Sequence, residues 1–292
     1  MASTEMLKAQ KIFSVEKYVC VVTGGGTGIG LMCTQALAAN GAKVYITGRR
    51  MEALENAAKS HNPSDGGQII PVGPCDVTSK DDLEKLVQEI SKKEKHINLL
   101  ITSAGVSGAK AEPSEEDATA LKKKLWENES FEGWSSTFNT NVSAVYFSAV
   151  AFLPLLQAAV DEYGHLSPSI IVISSMSGIM REAQGHFSYN AAKGATVHLA
   201  KLMSTEFQKT KIRVNSIAPG YFPSEMTMEE SDENQKSHMP QENIREKGHV
   251  PADRAGSDEE MAQAVLFLTK NSYVSGEIVV LDGGVLNKVP GR

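Results

Sequence analysis

Ser175, Tyr189 and Lys193 bring a hydroxyl, a phenol and an ammonium into one stretch of nineteen residues. Together they could pass a proton to or from a carbinol oxygen. Tyr189 and Lys193 are four apart, so on a shared helix they lie on one face. The ammonium would then favour the phenolate and lower the phenol's pKa; left near 10, a phenol is a poor base at neutral pH. With seven tyrosines in the chain, about 0.4 Tyr–Lys pairs of this spacing arise by chance. The elements around the pair must therefore decide its meaning.

Short apolar runs alternate with longer segments of helical period. The runs are Tyr18 to Thr23, Lys43 to Thr47, Gln68 to Val72, Ile97 to Thr102, Ser169 to Ser174, Ile212 to Ile217 and Glu277 to Leu281. They predict six or seven strands joined by helices, a doubly wound α/β fold around a parallel sheet. Ser79, followed by Asp81 and Asp82, opens one helix, with Leu83, Leu86, Val87 and Ile90 as its apolar stripe. Ser257 opens another, which carries Met261, Ala264, Val265 and Leu268. Two segments break the rhythm. Residues 108–133 are charged and read as a surface insertion with some helix; residues 221–251 are polar and have the length of a lid or binding loop. No repeat or linker divides the chain, so residues 1–292 are expected to form a single domain.

Hydrophobic residues make up 41% but aromatics only 6%, which predicts the aliphatic interior of strands buried on both faces. A net charge of −6 offers no basic excess for nucleic acid or an anionic membrane. Lys122 to Lys124 reads as a solvated helix face. Cys20, Cys33 and Cys75 are odd in number and lack metal-type spacing, so neither a disulfide framework nor a metal site is expected. His186 and His198 are expected to be exposed or core residues. With no run of eighteen apolar residues, a soluble cytoplasmic protein is expected.

Thr23-Gly24-Gly25-Gly26-Thr27-Gly28-Ile29-Gly30 follows the first apolar run and opens a helical pattern. Glycines at 24, 28 and 30 let the backbone turn sharply and approach a diphosphate at a helix N-terminus; a plain structural turn is the competing reading. After the second run, Gly48 stands where an acid would meet the adenosine ribose, and Arg49 and Arg50 follow. Two cations suit a 2′-phosphate, so NADP(H) is expected over NAD(H), against the alternative of two exposed arginines starting a helix. Asp76, after the third run, either accepts from an adenine amino group or caps the next helix.

Taken in order, TGGGTGIG, CDV, YNAAK, RVNSIAPG and VSGEIVVLDGG resemble the motifs of the short-chain dehydrogenase/reductase family, from Tyr18 to Gly284. IAPGYFPSEMT and the long interval from Ser175 to Tyr189 are similar to the branch containing the rhamnolipid-pathway β-ketoacyl reductase. The resemblance implies a Rossmann-type sheet of seven strands. It implies that Tyr189 is the general acid in carbonyl reduction and the base in alcohol oxidation, with Ser175 holding the substrate oxygen. Lys193 would lower the Tyr189 pKa and bind the nicotinamide ribose, and Asn141 would anchor a water relay. Ser174 competes with Ser175, and Asn139 with Asn141. The cofactor contacts implied are Thr23, Gly24, Gly26, Thr27, Gly28, Ile29, Gly30, Arg49, Arg50, Asp76, Val77, Ser103, Ala104, Gly105, Asn141, Tyr189, Lys193, Pro219, Gly220, Phe222 and Ser224.

The chain departs from the family at Thr102-Ser103-Ala104-Gly105, where Asn-Asn-Ala-Gly is usual, and at Asn98, where an aspartate is common; side-chain hydrogen bonds to the central sheet must be rearranged there. A small carbonyl or alcohol substrate, medium-sized and apolar or polyketide-like, is implied, with Met180, Phe187, Tyr221, Phe222 and Met226 expected to line its pocket. Assembly as a dimer or tetramer through the helices of Asn141 and Tyr189 is a further implication. Two rival readings use the same residues: a redox-neutral isomerase, dehydratase or cyclase, and a non-catalytic NADPH-binding regulatory protein. A methyltransferase would leave Ser175, Tyr189 and Lys193 unexplained.

Overall fold

Aliphatic side chains on both faces of a short segment leave no side to wet, so the most apolar runs are driven into the middle of a sheet and the others form its edges. In the computed structural model, which describes residues 3–163, 168–228 and 230–289, the strands are β1 (Val19–Thr23), β2 (Lys43–Thr47), β3 (Gln68–Pro71), β4 (Leu99–Thr102), β5 (Ser169–Ile173), β6 (Arg213–Pro219) and β7 (Ile278–Leu281). All pair in parallel, in the order β3-β2-β1-β4-β5-β6-β7. This is the seven-stranded doubly wound sheet that the sequence predicts. The helices are α1 (Ala9–Ile12), α2 (Gly28–Ala39), α3 (Met51–His61), α4 (Lys80–Ser91), α5 (Ala118–Asn128), α6 (Phe131–Phe138), α7 (Ala144–Tyr163), α8 (Phe187–Glu206), α9 (Glu225–Met228), α10 (Gln241–Arg245) and α11 (Asp258–Lys270).

Alternate residues of each strand feed two apolar layers. Cys20 and Val22 pack with Leu31 and Leu37 of α2, Leu54 of α3 and Val265 of α11. Val19 and Val21 face the other way, towards Leu83 and Leu86 of α4, Phe152 of α7 and Met203 of α8. The helical run 131–162 is long and apolar enough to cross a membrane by length and composition, yet its Phe152, Leu155 and Leu156 are buried against the sheet. Both predicted caps are present: Ser79 Oγ accepts from Asp82 N at 3.2 Å, and Ser257 and Glu260 form a reciprocal capping box. At the far end of α11, the buried guanidinium of Arg213 donates to the carbonyls of Leu268, Thr269 and Val274 at 2.9 to 3.0 Å. These bonds satisfy carbonyls that a helix terminus leaves open.

The insertion at 108–133 carries α5, which buries no residue, so Lys122 to Lys124 do lie on a solvated face. The loop 221–251 holds the short helices α9 and α10. All three cysteines are buried and free. Crossovers leave β1 and β4 towards opposite ends of the sheet, and a crevice opens beyond their C-terminal ends.

Candidate active site

That crevice is a cleft of about 840 Å³. Its floor is the turn after β1, where the backbone is so close-packed that side chains are excluded. Gly24 has φ +67° and an ideal Cβ on it would lie 2.9 Å from Ala104 Cα, while one on Gly30 would lie 2.1 Å from the Gly24 carbonyl oxygen. Thr27 precedes α2 without a side-chain cap, and the first turn contains no acid. The open N–H groups there suit an anion such as a diphosphate, so the residues present fit a dinucleotide.

Arg49 and Arg50 are exposed at one end of this cleft. An ideal Cβ on Gly48 meets only Leu54 Cδ2, at 3.9 Å. Room therefore exists for a carboxylate, and packing does not account for its absence. Asp76 also lines the cleft. Its Oδ1 accepts from Thr78 N at 2.9 Å and Thr78 Oγ1 at 2.7 Å, and these bonds, helped by Arg49, hold its carboxyl below the usual range. Capping of α4 falls to Ser79 instead.

The departure after β4 is accommodated through Thr23. Ser103 N donates to Thr23 O at 3.1 Å and to Thr23 Oγ1 at 3.2 Å, so Thr23 shapes the turn from behind the cleft. Asn98 Oδ1 accepts from Val19 N at 2.9 Å. The rearrangement leaves Asn98 Nδ2 and Thr102 Oγ1 buried without a hydrogen-bond partner.

The proton-transfer residues converge at the opposite end. Ser175 lies just past β5, and Tyr189 and Lys193 share a face of α8. The Ser175 hydroxyl bears on the Tyr189 phenol, favouring its ionised form, and accepts from Ser177 N at 3.1 Å. Ser174 is instead committed to β6, with Ser216 Oγ at 2.7 Å and Ile217 O at 3.0 Å. Geometry thus favours Ser175 as the hydroxyl beside the phenol. Lys193 Nζ donates to Ile173 O at 3.0 Å and lies 5.8 Å from the centroid of the Tyr189 ring. Burial pushes this amine from its ordinary 10.5 down to about 8.

The expected lowering of the Tyr189 pKa is not what the structure shows. Burial raises the phenol, and the nearby Ser175 hydroxyl opposes that rise only in part. His186, expected to be an exposed or core residue, is half-buried and packs edge-on to Tyr189 with ring centroids 6.5 Å apart; burial favours its neutral form. His198 is exposed.

Asn141 sits in a π-helical turn, Asn139–Ser143, between α6 and α7 and is fully buried. Its Oδ1 accepts from Val106 N at 3.2 Å and its Nδ2 donates to Val106 O at 2.8 Å. Its carbonyl accepts from Thr196 Oγ1 at 2.7 Å, tying the turn to α8 three residues beyond Lys193. Asn139 is exposed on the cleft wall.

Gly26, Gly28, Ile29, Val77, Ala104, Gly105 and Ser224 all line the cleft. Pro219, Gly220 and Phe222 do not. Gly220 is pressed against Asp282, and the Phe222 ring is buried under Gly256, where any Cβ would clash with it. The expected substrate pocket is also dispersed. Met180 and Tyr221 belong to a small apolar cluster with Ile244 and Val250, Phe222 joins the main core, and Met226 lines the dinucleotide cleft. Glu225 and Thr196 were not found from sequence. Glu225 meets Arg50 across 175 positions, a separation that no local pattern signals.

A family model described as short chain dehydrogenase matches residues 18–235. The chain is 42% identical to the short-chain dehydrogenase/reductase PhomF′ of Diaporthe leptostromiformis, over 98% of this chain and 97% of that protein. It is 29% identical to the rhamnolipids biosynthesis 3-oxoacyl-[acyl-carrier-protein] reductase of Pseudomonas aeruginosa, over 93% and 97% of the two chains. The solved RhlG/NADP active-site complex of the same bacterium superposes with a TM-score of 0.77 at 28% identity, covering 94% of this chain and 98% of that one. Sequence, sheet order and cleft agree, and the chain belongs to the short chain dehydrogenase family, in the branch that includes the rhamnolipid-pathway reductase.

Proposed function

We propose that this protein is an NADPH-dependent oxidoreductase that interconverts a ketone and a secondary alcohol on a medium-sized, apolar or polyketide-like substrate. The observation that carries this reading is that Tyr189 and Lys193, one turn apart on α8, both line a dinucleotide-sized cleft. The first turn of α2 would hold the diphosphate, Arg49 and Arg50 the 2′-phosphate, and Lys193 the nicotinamide ribose. When bound, the cofactor supplies or accepts the hydride. Ser175 orients the substrate carbonyl by donating to its oxygen, and Tyr189 delivers the proton to that oxygen. Because burial raises the phenol, Tyr189 stays protonated at neutral pH, as reduction requires. Asn141 keeps the turn beside Lys193 rigid and, by resemblance, anchors a water relay.

Open space at Gly48 and the two arginines support NADP(H). The Pseudomonas aeruginosa relative, named for 3-oxoacyl reduction and solved as an RhlG/NADP complex, supports a ketone substrate and this cofactor. Tyr146, Phe147 and Val150 of α7 and Leu202 of α8 are exposed, which supports self-association through these helices. The test is NADPH oxidation with a panel of ketones by wild type and Tyr189→Phe. A fall of about 10²- to 10⁴-fold is expected in the variant; equal turnover would remove Tyr189 from the chemistry.

A further inference from the structure

Three consecutive residues after β6 lie on the places where a dinucleotide is expected. Ser224 covers Gly28, where an ideal Cβ would stand 2.8 Å from Ser224 Cβ. Glu225 Oε2 accepts from Arg50 Nη2 at 2.5 Å. Met226 reaches Gly105, where an ideal Cβ would lie 3.8 Å from Met226 Cε and 3.9 Å from Lys193 Nζ. All three line the cleft of the proposed cofactor site.

Local bonds make the segment a compact unit: Thr227 Oγ1 accepts from Ser224 N and donates to Phe222 O, each at 3.0 Å. Burial does not hold the unit down, since Met226 is 43% exposed. The long-range polar contact that fastens it to the arginine end of the cleft is Glu225 with Arg50. A carboxylate there presents to the guanidinium what a phosphate would present, an anionic oxygen, but with less charge and fewer acceptors.

We propose that Glu225 is a placeholder for the 2′-phosphate: it occupies Arg50 until that phosphate displaces it, and so sets how strongly the enzyme distinguishes phosphorylated from unphosphorylated adenosine ribose. This rests on the NADP(H) reading above. Nucleotides without a 2′-phosphate leave the pair intact and are indifferent to Glu225. Those that carry it must exchange one anion for another at Arg50, and the carboxylate weakens their binding. Glu225 is then a specificity-determining residue that acts by competition.

Two probes separate the effects: adenosine 2′,5′-bisphosphate and adenosine 5′-monophosphate, which differ only in the 2′-phosphate. Each is titrated calorimetrically into wild type, Glu225→Gln, Arg50→Ala and the double variant. Glu225→Gln should bind the bisphosphate about two- to fivefold more tightly, the range of an exposed ion pair, with the monophosphate unchanged. In the Arg50→Ala background the same substitution should do nothing, since the cycle isolates the pair. The inference is overturned if Glu225→Gln leaves bisphosphate affinity unaltered, tightens both nucleotides equally, or still acts without Arg50. A different failure, wild type binding both nucleotides equally, would overturn the NADP(H) reading itself.

Discussion

Replacing Lys193 by Met should stabilise this protein while abolishing its turnover. The side chain is only 5% exposed, and burial moves the amine from 10.5 to about 8. At about 1.4 kcal/mol for each pH unit, holding the ammonium in this site costs about 3 kcal/mol at neutral pH. Met keeps the length and apolar stem without the charge. Losing the hydrogen bond to Ile173 O gives back about 1 kcal/mol. The net expectation at pH 7 is a gain of about 2 kcal/mol.

The sign with pH follows from linkage. Below about 8 the folded and unfolded states both hold the Lys193 proton, and the penalty is constant. Between about 8 and 10.5 the folded chain has released it and the unfolded chain has not, so wild type gains stability relative to the variant as pH rises. Above 10.5 the penalty is gone. Buried thiols such as Cys20 and Cys33, raised by burial, oppose this trend, but they do so in both proteins and cancel in the difference. Urea unfolding of the two proteins between pH 7 and 10, with slopes compared to confirm like unfolding, measures that difference. A gap that stays constant across the range, or a variant less stable than wild type at pH 7, would refute the idea of an ionised amine confined in an apolar site.

Two further substitutions bear on the cleft. Gly48→Asp fits sterically, because only Leu54 Cδ2 stands near its Cβ position. It should weaken NADPH by about tenfold or more while tightening NADH, as fluorescence titration would show, since the new carboxylate accepts from a ribose hydroxyl and repels a phosphate. Asn141→Ala strips the half-buried Val106 N–H and C=O of both their side-chain bonds. A loss of about 1 to 2 kcal/mol in urea unfolding is expected, from two ordinary hydrogen bonds, with kcat falling more than KM because the turn beside Lys193 loosens.

The central strands were legible because burial on both faces writes them as continuous apolar runs, and the observed bounds of all seven lie within two residues of the expected ones. Ser175, Tyr189 and Lys193 were legible because one strand end and one helix carry all three. Phe222 was misplaced for a reason sequence does not disclose: after Gly220 the chain turns its ring under Gly256, away from the cleft. The choice between Asn139 and Asn141 hinged on a π-helical turn, which shifts the facing of a helix by a fraction of a turn and leaves no mark in the periodicity. The Arg50–Glu225 pair was illegible because only the folded loop brings those residues together.

Charge was the least legible property, and it changes the account of the proton. Spacing alone makes Lys193 the group that acidifies Tyr189. In the folded chain one cause acts on both residues in opposite senses: burial disfavours the phenolate and disfavours the ammonium. The amine, at about 8, therefore gives up its proton before the phenol does. Burial thus works against an ammonium–phenolate pair and favours a phenol that begins with its proton in place. That state is already matched to a carbonyl oxygen that must be protonated. Alcohol oxidation asks for the phenolate, so its rate should climb with pH over a range in which reduction is still flat.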